Sequence, residues 1–225
     1  TTAAVAGAAT AIGALTTKAI EGYAAQEQLV GGVETLFKTS SDTVVGYAND
    51  AYKTAGMSAN EYMETVTSFS ASLLASMNND TAAAAEKANV AITDMSDNAN
   101  KMGTDISLIQ NAYNGFAKQN YTMLDNLKLG YGGTKEEMQR LLDDASKLSG
   151  IKYDISSYSD VVDAIHVVQT EMGITGTTAK EASTTIEGSV SSMSSAWDNW
   201  VAGMADSEAN FSQLTSNLVD SIVTV

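Results

Sequence analysis

Apolar residues recur along this chain at steps of three and four, the spacing that places them on one face of a helix. Tyr62, Val66, Phe69, Leu73 and Met77 form one such stripe, and Ile106, Ile109, Tyr113 and Phe116 form a second. Met138, Leu141, Leu142, Ala145 and Leu148 make a third, and Val161, Val162, Ile165, Val168 and Met172 a fourth. Near the end, Ile186, Val190, Met193, Trp197, Trp200 and Met204 keep the period, and Phe211, Leu214, Leu218, Ile222 and Val225 carry it to the last residue. Stripes this wide must be buried against neighbouring elements. No convincing alternation of period two is found; Ile151–Asp160 comes closest and is expected to hold at most a short extended piece.

The polar residues between the stripes punctuate them. Ser58 with Glu61, Thr134 with Glu137, and Thr178 with Glu181 each have the form of a capping box, in which hydroxyl and carboxylate satisfy each other's backbone N–H groups. Each follows closely on glycine (Gly56, Gly132 with Gly133, Gly176), a residue that tolerates the left-handed conformation ending a helix. Asp80 is placed to cap the alanine-rich helix after it. Short connections favour antiparallel neighbours. The expected fold is therefore all-α, a multi-helix bundle of short antiparallel amphipathic helices with glycine-containing turns. Its expected parts are an Ala/Gly-rich helical segment over 1–38, a core helical domain over 39–172, and a C-terminal helical arm over 173–225. A stripe still running at Val225, and a first residue that is not methionine, lead us to expect a piece of a longer chain.

Composition sharpens this picture. Of the 225 residues, 44% are hydrophobic but only 7% aromatic, so the core should be thin and closely spaced. Proline is absent, which removes the strongest helix breaker, and cysteine is absent, which excludes disulfides and thiolate-bound metals. With 12 basic against 27 acidic residues the net charge is -15, so the chain should repel the phosphates of nucleic acid. Thr1–Thr17 is uncharged, but its Ala, Gly and Thr content suits a helix packed on protein better than one inserted in a membrane.

Candidate chemistry is sparse. Gly130, Gly132, Gly133, Thr134 and Lys135 bring together the residue types of a phosphate loop, but lysine follows threonine, the spacing is short and no strand precedes. The reading is a helix corner, with Lys128 and Lys135 solvated. His166, the single histidine, falls between Ile165 and Val167 and is expected to be packed, with no partner evident for a catalytic base. Asp94, Asp97, Asn98 and Asn100 are rich in oxygen but fit a calcium loop poorly, and are read as a polar helix face before Gly103. The neighbouring carboxylates Glu136 with Glu137 and Asp143 with Asp144 diverge by about 100° on a helix and should face solvent. Core burial is the expectation for the Met193, Trp197, Trp200 and Met204 stripe, which is also the one candidate partner-docking face. No catalytic, metal or cofactor-binding residue is assigned.

Three long phrases resemble tail tape measure proteins of siphophages and prophages: Ala51–Leu74 (AYKTAGMSANEYMETVTSFSASLL), Ile92–Leu148, and Gly173–Val190 (GITGTTAKEASTTIEGSV). The resemblance runs from about Leu29 onward. It implies a structural, non-enzymatic protein that lies in the lumen of the phage tail tube, helps set tail length during assembly in the host cytoplasm, and leaves ahead of the DNA at infection. The implied partners are other copies, tail tube subunits and tail assembly chaperones. Some members carry peptidoglycan-cleaving or membrane-active regions that aid DNA entry, which is the alternative. A ruler segment should be one continuous helix. Repeated caps and wide apolar faces point instead to a compact helical domain towards the N-terminal side of such a protein.

Overall fold

The structure, a computed structural model, describes residues 2–184, 186–207 and 209–223. It is all-α, with no strand among the described residues. The helices are α1 (Thr2–Phe37), α2 (Ser41–Thr54), α3 (Ala59–Ser76), α4 (Thr81–Met102), α5 (Ile106–Phe116), α6 (Lys135–Ser149), α7 (Tyr158–Glu171), α8 (Thr177–Thr184), α9 (Ile186–Gly203) and α10 (Phe211–Val223). Short 3-10 turns at Lys38–Ser40 and Leu124–Leu127 join α1 to α2 and shape the path from α5 to α6. The Ile151–Asp160 stretch is a loop leading into α7, not an extended strand.

Local chemistry starts most of these helices where the sequence places the start. Ser58 and Glu61 close a complete capping box: the Ser58 N–H donates to Glu61 Oε2 at 2.7 Å and the Glu61 N–H to Ser58 Oγ at 3.4 Å. Asp80 accepts from the N–H groups of Ala82 and Ala83, both at 3.1 Å. Asp105, Thr134 and Ser157 cap α5, α6 and α7 through their side chains. Gly103 and Gly150 end α4 and α6 with positive φ, as a left-handed C-cap requires.

One continuous core runs from Val33 to Ile174. Its centre is the contact of α3, through Tyr62, Met63, Val66, Phe69 and Leu73, with α4, through Ala84, Ala85, Ala88, Ala91 and Ile92. Alanine along α4 lets neighbouring helices approach closely, and α2, α3, α5, α7 and α8 all pack on it. The stripes on α3, α5, α6 and α7 are buried over most of their length. Leu148 and Met172 at their ends run out to 50% and 45% exposure.

α1 crosses α9 through small residues. A Cβ added to Gly22 would lie 3.2 Å from Ala202 Cβ, so the two backbones meet with no room for a larger side chain. α10 folds back onto α9. No helix among the described residues is long and apolar enough to cross a membrane.

Candidate functional site

The polar run on α4, expected as a polar helix face before Gly103, is a buried one. Asp94 to Ala99 are six consecutive buried residues, so α4 is enclosed on every side at this level. A buried polar group is costly unless it is hydrogen-bonded, and Asp94, Asp97 and the Asn98 amide N–H each reach a distant partner, whereas Ser96 Oγ and Asn98 Oδ1 find none among the described residues. Asn98 Nδ2 donates to the Leu127 carbonyl at 3.0 Å and Asn100 Nδ2 to Thr178 Oγ1 at 2.8 Å. Asp97 takes the N–H of Gly176 at 2.6 Å and of Thr178 at 2.7 Å, one on each carboxylate oxygen.

Asp97 therefore caps α8 from another helix. Its negative charge sits at the positive end of the α8 backbone dipole. This corrects the capping box expected at Thr178 and Glu181. α8 begins at Thr177, and the Thr178 hydroxyl accepts from Asn100.

His166 also departs from expectation, because it has a partner. Its Nδ1 lies 3.0 and 2.9 Å from the two oxygens of Asp94, which is 1% exposed, while the imidazole is half-buried at the rim. The Asp94 hydrogen bond raises the His166 pKa above its usual value, against the opposing effect of burial. Burial raises the Asp94 pKa, and the imidazole opposes that rise. The Lys87 ammonium and Asp163 carboxylate pair beside them, linking α4 to α7 a second time.

An aspartate that orients Nδ1 is the arrangement by which histidine activates a nucleophile. Among the described residues no hydroxyl hydrogen-bonds to Nε2 of His166, and the chain has no cysteine. What the pair does here is give a buried carboxylate a hydrogen-bond partner and tie α7 to α4. Asp94 and Asp97 serve different partners, and no group of three or more His, Asp or Glu residues gathers to hold a metal among the described residues.

The glycine-rich corner is closed by its own side chains. Glu137 accepts the Gly132 N–H at 2.9 Å, so the backbone donor a phosphate would need is already engaged. Arg140 donates to the Glu137 carboxylate and, at 2.8 Å, to the Gly130 carbonyl. Arg140 and the Gly132 N–H hold the Glu137 carboxyl down, to about 2. Gly133 lies against the Thr122 backbone, where a Cβ would come 2.2 Å from the carbonyl oxygen. Lys128, expected to be solvated, instead reaches the carbonyls of Met102 and Gly103 at 3.0 and 3.4 Å, where a cation suits the C-terminal end of α4. The neighbouring carboxylates stay on the surface of α6, Asp144 holding Tyr131 and Lys147 and Asp143 holding Gln139.

α9 shows the largest reversal. Its buried residues among those described include Ser192, Ser195, Ala196, Val201 and Ala202, while Trp197 is 40% exposed and Met204, just past its end, 48%. Met193 and Trp200 are partly exposed. Trp197 and Trp200 stack with ring centres 5.3 Å apart, and Trp200 meets Phe211 of α10 at 5.3 Å. Trp197, Trp200 and Phe211 thus form one partly exposed aromatic cluster, and Val190, Met204, Val219 and Ile222 on or beside the same two helices are each 44% exposed or more. Val225 and the side chain of Ile186 lie outside the described residues.

A polar groove of about 820 Å3 between α3 and α5 is lined by Glu61, Glu64, Gln110, Asn111, Asn114 and Glu181. Comparison with family models, with curated proteins and with solved structures finds no match.

Proposed function

We propose that this chain is a structural and assembly domain of a phage tail tape measure protein: a compact helical unit that contributes to tail assembly by packing against other tail components and has no catalytic role. The observation that carries the reading is where the resemblant phrases fall. Ala51–Leu74 spans the end of α2 and all of α3; Ile92–Leu148 runs from the buried polar half of α4 through α6; Gly173–Val190 contains α8. These segments build the core and the Asp97 latch that holds it, so the resemblance lies in fold-determining residues and not in surface composition. The exposed α9–α10 face and the acidic surface suit a part that binds protein and lets DNA pass.

A bundle of short capped helices is not a ruler. Extended, 225 residues of helix would span about 340 Å at roughly 1.5 Å per residue, and folded this way they span far less. The domain's contribution is therefore docking or nucleation. The test is an in-frame deletion of this segment from the encoding tape measure gene, with tails measured by electron microscopy. Failed assembly supports the reading. Normal assembly with proportionally shorter tails makes the segment part of the ruler, and unchanged tails refute the assignment.

A further inference from the structure

Three side chains enclosed in the core carry polar atoms with no hydrogen-bond partner among the described residues: the hydroxyls of Tyr113 and Tyr158, and both the oxygen and the nitrogen of the Gln169 amide. Tyr113 and Gln169 are 0% exposed and Tyr158 is 5%. A buried hydroxyl or amide left unpaired is costly, and native cores satisfy nearly all such groups with protein or with ordered water. Space-filling does not require them, because Phe, Phe and Met would occupy nearly the same volume without that cost.

Tyr113 on α5 sits beside the Gln169 amide of α7, yet not in hydrogen-bonding geometry with it, and within the electrostatic reach of Tyr158 and of Asp94 on α4. Burial first, then Asp94 and Tyr158, raise the Tyr113 phenol well above its usual pKa, so its hydroxyl keeps its proton and is a donor. Asp94 is 1% exposed and has His166 Nδ1 as its one hydrogen-bond partner among the described residues, which leaves spare lone pairs on its carboxylate. A hydroxyl donor, an amide that both donates and accepts, and a buried carboxylate with lone pairs to spare are the set of polar partners that an internal water requires. Groups that are neighbours without bonding directly are those a water joins. We propose that the core binds water at this point, joining Tyr113 Oη, the Gln169 amide and the Asp94 carboxylate. The water accepts from the Tyr113 hydroxyl and donates to Gln169 Oε1 and to Asp94. It restores to the carboxylate part of the solvation that burial removes, and it links α5 to α4 and α7, which Asp94 and His166 already join.

A high-resolution crystal structure of the protein should show a water within about 2.6–3.2 Å of both Tyr113 Oη and the Gln169 amide. Thermal melts give a second reading with a distinct sign. Where water bridges these groups, Tyr113→Phe and Gln169→Met each strand the remaining partners, and each should lower the Tm by about 2–4 °C, as the loss of one hydrogen bond does in a chain of this size. The two losses should not add in the double variant, since both substitutions remove the same bridge. Where the site is dry, each substitution only takes an unpaired polar atom out of the core, and the Tm should hold or rise. A direct Tyr113–Gln169 hydrogen bond in the crystal, an empty gap beside the two groups, an ion in place of water, or a Tm left unchanged or raised by either substitution would each overturn the proposal.

Discussion

Replacing Asp97 tests whether the buried polar seam holds the fold together. The carboxylate is 0% exposed and accepts two backbone N–H bonds of 2.6 and 2.7 Å from the start of α8. In Asp97→Ala both donors lose their acceptor and the site opens a small void. A hydrogen bond to a charged group contributes roughly 1.5–3 kcal/mol, and the stranded donors add desolvation, so we expect a loss of about 3–4 kcal/mol. Asp97→Asn keeps one acceptor oxygen and points an amide N–H at the other donor, for an expected loss of about 2 kcal/mol. With a urea slope of about 2–3 kcal/mol per molar, the alanine variant should unfold at a midpoint lower by roughly 1–2 M. Hydrogen exchange should show the damage at 176–184 before it spreads to α3. An alanine variant within about 1 kcal/mol of the parent, or unchanged protection of α8, would refute the view that a distant carboxylate caps this helix.

Stability should fall as pH rises through the His166 pKa. Its folded pKa is raised, so its contribution is complete below about 6.5, the unfolded value, and disappears above the folded one; Asp94, also raised, acts in the same direction. Urea midpoints from pH 6 to 9 should show this fall, and Asp94→Asn should flatten it. Gly133→Ala forces a Cβ to 2.2 Å from the Thr122 carbonyl and should cost about 1–3 kcal/mol, whereas Gly132→Ala meets only Glu137 Cγ at 3.5 Å and should stay within ~0.5 kcal/mol. Thermal melts of the two distinguish a close-packed corner from a merely flexible one. Ser58→Ala removes one half of the capping box on α3 and should cost about 1 kcal/mol by the same measurement.

What the sequence reveals about this fold is set by range. The caps of Ser58, Asp80 and Thr134 were legible because donor and acceptor lie within three residues of each other. The run from Asp94 to Asn98 was misread because its partners lie 72 residues away in His166, 79 and 81 in Gly176 and Thr178, and 29 in Leu127. No local window contains them, and a polar stretch without visible partners looks solvated. The same limit explains why His166 seemed to have none.

α9 was misread for a different reason. Periodicity identifies its more apolar face, but which face is buried depends on the neighbour's shape. α1 presents Gly22 at the crossing, and against a bare backbone the fitting surface is Ala202, not Trp197. The polar residues on that inward face have tasks of their own. Asn199 Oδ1 accepts from the Ala59 N–H at 2.8 Å and Ser195 Oγ donates to the Gly56 carbonyl at 3.2 Å, so α9 completes the turn between α2 and α3. Turning α9 to bury its tryptophans would strand both backbone groups and drive an indole into a helix crossing sized for a methyl. Losing two partly buried hydrogen bonds costs about 2 kcal/mol or more, and overpacking a close contact costs a further ~1–3 kcal/mol, against a gain limited to the exposed fraction of two rings. The greasier face is therefore left outside because the small one fits.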